Sequence, residues 1–215
     1  MTALAPHTSE LFDKIVSLEC IKPYTLVGGT ALALQIHTRL SEDLDFQSWK
    51  SHKSQKQEVG WVNIEKQLAT IGMIQSREIW DFDHVEFVVS GVKISFYACP
   101  KISPFPDPVL VKDNLKMATI KSIAAMKLEL MLRINNFRDY YDIYSIFKQA
   151  VNFKEIVDLA LLYSGHLLST KNLLVMLTDS SRFNIDNKFE LLQPIYKVSP
   201  KDIELFLKEC IKKNY

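Results

Sequence analysis

The stretch Tyr24–Phe46, YTLVGGTALALQIHTRLSEDLDF, decides how this chain is read. Tyr24–Val27 is a short apolar, β-branched run that reads as a strand. Gly28-Gly29 make a tight turn, and Thr30–His37 carries the residues of a short helix. Leu44–Gln47 reads as a second strand, with Asp43 and Asp45 one residue apart along it. Side chains alternate along a strand, so both carboxylates point to one face. Two like charges side by side are costly unless a cation joins them. Mg²⁺ (or Mn²⁺) suits such a pair, because it takes hard oxygen ligands together with waters and substrate phosphates. The plainer reading is an edge strand with two solvated acids. The glycines favour the metal. Lacking Cβ, Gly28 and Gly29 let backbone N–H groups approach a phosphate, and the helix N-terminus behind them favours an anion. Thr30 adds a hydroxyl to that cradle. Arg39 and Ser41, just before the acids, are candidate contacts to a triphosphate or ribose, although Arg39 serves equally to neutralise Asp43. His37 reads as a helix-end residue rather than a ligand.

Outward from this stretch, Ser9–Cys20 has helical apolar spacing, with Ser9 as N-cap and Pro23 as the stop. Ser48–Lys56 is polar and reads as a loop, and Trp61–Ile71 as a helix closed by Gly72. Met73–Trp80, Val85–Val89 and Val92–Tyr97 are strand-like, with Ser90-Gly91 as a hairpin turn. Four prolines within Pro100–Pro108 end that pattern, and two short strands, Val109–Lys112 and Leu115–Ala118, follow. From Thr119 the chain changes character. Ile120–Arg133, Phe137–Lys148, Phe153–Leu162, Thr170–Leu177 and Pro200–Lys213 all read as helices. The expectation is therefore an α+β chain: residues 1–118 a mixed β-sheet with flanking helices, and 119–215 a C-terminal helical bundle that completes a cleft.

Composition narrows the class. A hydrophobic fraction of 47% and a charged fraction of 24% are those of a globular protein, and the net charge of +1 gives no global pull toward nucleic acid or a membrane. Cys20, Cys99 and Cys210 are odd in number and lack metal spacing, so they read as reduced thiols of a cytoplasmic protein. The first ten residues have no basic and apolar leader pattern, and no apolar run approaches the ~18 residues of a membrane span.

In the helical half, Lys127 interrupts the apolar AAMKLEL, where it is either a snorkelling stem or a compact cation for phosphate. Arg133 lies within reach of the same surface. Arg138, Asp139 and Asp142 open the next helix, where acids also complement the helix dipole. Tyr140, Tyr141, Tyr144 and Phe147 read as helix packing, and Lys197, Lys201, Lys208, Lys212 and Lys213 as a solvated face diluted by Asp202, Glu204 and Glu209.

GGTALAL, HTRLSEDLDF, AMKLELMLR and RDYYDIY, in that order, resemble the AbiEii/AbiGii toxin branch of the DNA-polymerase-β-like nucleotidyltransferases. The resemblance runs from Tyr24 to Phe147 and implies an enzyme that moves a nucleoside monophosphate from a triphosphate such as ATP to an acceptor hydroxyl. By it, Asp43 and Asp45 hold metal, and Gly28, Gly29, Thr30, Arg39 and Ser41 attend the nucleotide. Lys127 binds the triphosphate, and Asp139 faces the active site with Asp142 tying the helices together. It also implies tRNA or protein as acceptor, a cognate antitoxin as partner, and no membrane. The chain departs from the pattern at one place. Ser95, in Gly91-Val92-Lys93-Ile94-Ser95-Phe96, stands where a third acid is expected. Asp81, Asp83, Glu86 or Asp139 are the available substitutes, or the enzyme works with two acids. The same departure suits a nucleotide-binding regulatory module without turnover, and the low net charge suits a transferase for small molecules.

Overall fold

The computed structural model describes residues 3–133, 135–149, 151–165, 167–184 and 186–215. They form two compact units, Met1–Thr119 and Ile120–Tyr215.

The first unit is built on strands β1 (Thr25–Val27), β2 (Leu44–Lys50), β3 (Ile74–Asp81), β4 (His84–Val89), β5 (Val92–Ile102), β6 (Val109–Lys112) and β7 (Leu115–Met117). They make one seven-stranded sheet of order β3-β4-β5-β2-β1-β7-β6. It is mixed: β2 runs parallel to β5, and β1 parallel to β7, while the other pairs are antiparallel. Helices α1 (Pro6–Ile15), α2 (Gly28–Ile36) and α3 (Trp61–Leu68) complete the unit. Of these, α1 packs on β5, and α2 on β1 and β2. Strand alternation sends Leu26, Leu44, Phe46, Val85, Phe87, Ile94 and Phe96 into the core, all at most 1% exposed. Phe96 is its centre, stacked on Phe46 at 5.2 Å and edge-on to Tyr24 at 5.1 Å and Phe87 at 6.3 Å.

Several boundaries differ from the sequence expectation, each for a physical reason. Helix α1 begins at Pro6 with Ala5 as a backbone-only cap, not at Ser9, because proline suits a first helical position. It ends at Ile15, and Glu19–Ile21 forms a separate 3₁₀ turn. Strand β2 extends through Ser48–Lys50, expected as loop, because β5 pairs with it that far. Pro100 does not end β5. The register shifts between Trp49 and Lys50, whose partners are Cys99 and Ile102, so the proline sits in an irregularity where no ladder N–H is needed. At the β4–β5 turn both Ser90 and Gly91 have positive φ, 49° and 84°, as a tight two-residue hairpin turn requires.

The second unit comprises α4 (Ile120–Leu130), α5 (Phe137–Phe147), α6 (Phe153–Ser164), α7 (Thr170–Leu177) and α8 (Pro200–Asn214). The hydrophilic starts of the last four are capped by Asn136, Asn152, Ser169 and Ser199, and Ser199 with Asp202 forms a reciprocal capping box. The tyrosines of α5 are core residues. Tyr140 stacks on Phe183 at 4.0 Å and donates to the Leu177 carbonyl at 2.7 Å, and Tyr141 lies edge-on to Phe189 at 5.0 Å. No helix of the described residues is long and apolar enough to cross a membrane.

Candidate active site

Strand β1 passes directly into α2, and the turn is made at Gly28 with φ +69°, a backbone region that strains any L side chain. The N-cap Val27 offers no side-chain hydrogen bond, so the first N–H groups of α2 have no side-chain cap. A methyl on Gly28 would stand 2.7 Å from Asp45 Oδ2, and one on Gly29 would stand 2.6 Å from the guanidinium of Arg39. The two glycines thus admit, respectively, a carboxylate and a buried cation against the turn. Arg39 is 4% exposed and donates to the Leu40 carbonyl at 2.8 Å.

Thr30 and Ser41 are buried. Their hydroxyls are hydrogen-bonded at 2.8 Å, and Thr30 also donates to the Asp43 carbonyl. The sequence makes both candidates for nucleotide contact, and their described bonds form a brace that fixes α2 to the segment ahead of β2. The chain's start holds that segment from the other side: Ala5 N–H donates to the Ser41 carbonyl at 2.9 Å, and Thr8 donates to the Glu42 carbonyl at 2.7 Å. His37 closes α2 with φ 52° and serves as its C-cap.

Asp43 lies one residue before β2 and Asp45 within it, both partly exposed, alternating with wholly buried Leu44 and Phe46. The two acids therefore share the face opposite the core. Register carries that face across the sheet. Asp45 is the partner of Val27 on β1 and of Ser95 on β5, and Ser95 is the partner of Glu86 on β4. Cross-strand partners point to the same side, so Asp45, Ser95 and Glu86 form one row. The next row holds Gln47, Tyr97 and His84. The His84 ring stacks on Tyr97 at 4.3 Å, and its Nε2 is 3.3 Å from Glu86 Oε1. The Tyr97 phenol is pushed up to about 12, first by burial and next by the negative field of Asp45. A hydrogen bond with Ser95 opposes this shift, while Glu86 and Asp43 add to it. Sequence reading missed Tyr97 and His84. The alternation of H-V-E-F on β4 and K-I-S-F-Y on β5 was the available signal.

Among the described residues no group of three or more His, Cys, Asp and Glu side chains is placed to hold a metal ion. The carboxylates on this face nearest the turn in sequence are Asp43 and Asp45, of which Asp45 stands against Gly28. The pair fits Mg²⁺, which is commonly held by one or two carboxylates with substrate phosphates and water filling its shell.

In the helical unit Lys127 is a buried ion-pair centre. Its Nζ lies 2.6 Å from Asp139 Oδ1 and 2.8 Å from Asp142 Oδ2, tying α4 to α5. The side chains are 6%, 14% and 1% exposed, respectively, so Asp142 is the enclosed partner and Asp139 the more accessible one. Arg133 pairs with Glu129 at 2.5 Å.

The model of the family described as nucleotidyl transferase AbiEii toxin, type IV toxin–antitoxin system, matches residues 11–211. The chain belongs to the AbiEii nucleotidyltransferase toxin family. An uncharacterized protein from Aquifex aeolicus (strain VF5), aq_aa25, is 28% identical over 155 residues in a match that covers 69% of this chain and 69% of that one. A Helicobacter pylori protein, JHP933, has a crystal structure that superposes with a TM-score of 0.57 at 20% identity, covering 98% of this chain and 92% of that one. The nucleotidyltransferase toxin MenT4 from Mycobacterium tuberculosis H37Rv gives a TM-score of 0.60 at 14% identity, covering 97% of this chain and 86% of that one. Those two likenesses speak to the fold. The AbiEii family match makes this chain a nucleotidyltransferase enzyme of a toxin family, and the seven-stranded mixed sheet is the α+β frame expected of it.

Proposed function

We propose that this AbiEii-family enzyme transfers a nucleoside monophosphate, with Mg²⁺, from a nucleoside triphosphate to an acceptor hydroxyl on tRNA or protein. We further propose that it acts as the toxin opposed by a cognate antitoxin. The observation that carries the reading is the placing of Asp43 and Asp45 on one sheet face, with Asp45 Oδ2 against the Gly28 turn. A polyphosphate needs two things at once, backbone donors and a counter-charge. The N–H groups at the start of α2 supply the first. The carboxylate pair supplies the second by holding the cation. When bound, Mg²⁺ neutralises phosphate charge and aligns the attacking and leaving oxygens. Arg39, seated on Gly29 and braced by its neighbours, keeps the turn positive and rigid. By the family resemblance, Lys127 suits phosphate as a compact cation.

The test is direct. Purified protein is incubated with each α-labelled triphosphate, Mg²⁺ and either total tRNA or cellular protein. Label on one acceptor, with stoichiometric pyrophosphate, supports transfer. Hydrolysis alone, or no label with any triphosphate, rejects it. Growth arrest on expression, relieved by Asp45→Asn, supports the toxin role.

A further inference from the structure

Transfer to a hydroxyl releases a proton, and a positioned base that takes it speeds the step. Under the reading above, Asp43 and Asp45 are poor bases, because a cation-bound carboxylate has given up much of its basicity. Beside Asp45 in the row stands Ser95, whose hydroxyl has no base strength at neutral pH without help. The next residue out is Glu86, one strand spacing of about 4.8 Å beyond. Its side chain leans back over β5, so that Oε1 lies 3.3 Å from Ser95 Oγ. The same oxygen meets His84 Nε2 at 3.3 Å and Lys93 Nζ at 3.9 Å. All described contacts of this carboxyl run through Oε1, which leaves Oε2 unengaged among the described residues on a side chain 20% exposed. A carboxylate anchored by one oxygen and open at the other is oriented to take a proton. The other acids of this hairpin are not so placed. Asp81 accepts the Phe82 N–H at 2.7 Å, and Asp81 and Asp83 are both exposed at the hairpin tip.

We propose that Glu86 is the proton acceptor of the transfer reaction, with Ser95 and His84 as positioning residues that aim its carboxylate. The role rests on the nucleotidyl-transfer reading. In the step, the acceptor hydroxyl gives its proton to Glu86 Oε2 and its oxygen forms a bond to the α-phosphorus. The bond from that phosphorus to the oxygen bridging the β-phosphorus breaks, and the electron pair departs with pyrophosphate. Glu86 then releases the proton to water.

The experiment compares wild type, Glu86→Gln, and Glu86→Gln combined with Ser95→Asp in single-turnover transfer of labelled nucleotide. Calorimetric binding of the Mn²⁺-nucleotide complex to each variant is measured in parallel. Glutamine keeps the contact to Ser95 but cannot take the proton. Transfer is expected to fall by on the order of 10²–10⁴-fold with nucleotide affinity within about threefold of wild type. Ser95→Asp puts a carboxylate beside Asp45 on the same face and is expected to recover at least about tenfold of the loss. Wild-type labelling that is unchanged in Glu86→Gln overturns this role alone, as does a double variant no faster than the single one. Lost nucleotide affinity in Glu86→Gln also overturns it, by making the residue a binding group. Absence of label with wild type overturns the transfer reading and this role with it.

Discussion

Asp45 and Gly28 are a matched pair: the carboxylate Oδ2 occupies the place, 2.7 Å away, that a side chain on Gly28 would need. The positive φ of 69° at Gly28 makes the same demand from the backbone. Gly28→Ala is therefore expected to cost about 1–2 kcal/mol of stability from φ alone. Under the proposed function, the displaced carboxylate is expected to weaken metal-nucleotide binding as well. Urea unfolding reads the first effect and calorimetry the second. Normal nucleotide binding in a folded Gly28→Ala would contradict the pairing.

Gly29→Ala has a different signature. Its φ is ordinary, and the conflict is with Arg39, whose guanidinium would be 2.6 Å from the new methyl. Truncating that arginine removes the obstacle. The double variant Gly29→Ala/Arg39→Ala is expected to be less destabilised than the sum of its two singles, with a coupling of about 0.5–3 kcal/mol in a double-mutant cycle. Strict additivity would show that the contact carries no energy.

The Lys127 group predicts an order of damage. Asp142, with its side chain 1% exposed, has no recourse to water, whereas Asp139 at 14% has some. Removing one partner of a buried ion pair costs roughly 3–5 kcal/mol. Asp142→Ala is expected near that range and Asp139→Ala below it. Thermal unfolding of the two variants checks the order, and the reverse order would contradict the burial difference.

Glu204 is expected to contribute to the acid stability of the helical unit. Hydrogen bonds from Lys201, Lys208 and Ser180 hold its carboxyl far below the usual carboxylate range, outweighing its burial. A carboxyl with a depressed folded pKa stabilises the fold fully above its unfolded value, near about 4.3, and loses that contribution as pH falls toward the folded value. Urea midpoints measured from pH 7 down to pH 3 should therefore fall below about pH 4.3 in wild type. That fall should be visibly shallower in Glu204→Gln. Identical slopes would remove Glu204 from the acid transition.

Much of this was readable in advance because it is local. Apolar alternation in L-D-F and the Gly-Gly turn mark β1, α2 and the start of β2, and the helix expected over Thr170–Leu177 has those bounds. What escaped was set by partners distant in sequence. The extension of β2 through Lys50 and of β5 past Pro100 exists because the two strands pair with each other, across some fifty residues of chain. The same holds for the site. Asp43 and Asp45 announce themselves by spacing, but the row from Asp45 through Ser95 to Glu86 is a matter of register. Thr30 and Ser41 look like substrate contacts in the sequence, yet their hydroxyls bond to each other because α2 lies against the segment that precedes β2.

The proposed metal-holding role of Asp43 and Asp45 is tested most directly by replacing Asp45 with asparagine, which keeps size and removes charge. Transfer of labelled nucleotide is followed over a Mg²⁺ titration, with circular dichroism confirming the fold. The pair predicts a loss of on the order of a hundredfold or more at low Mg²⁺, partly restored as the ion is raised. Wild-type rates with wild-type Mg²⁺ dependence in a folded Asp45→Asn would contradict it.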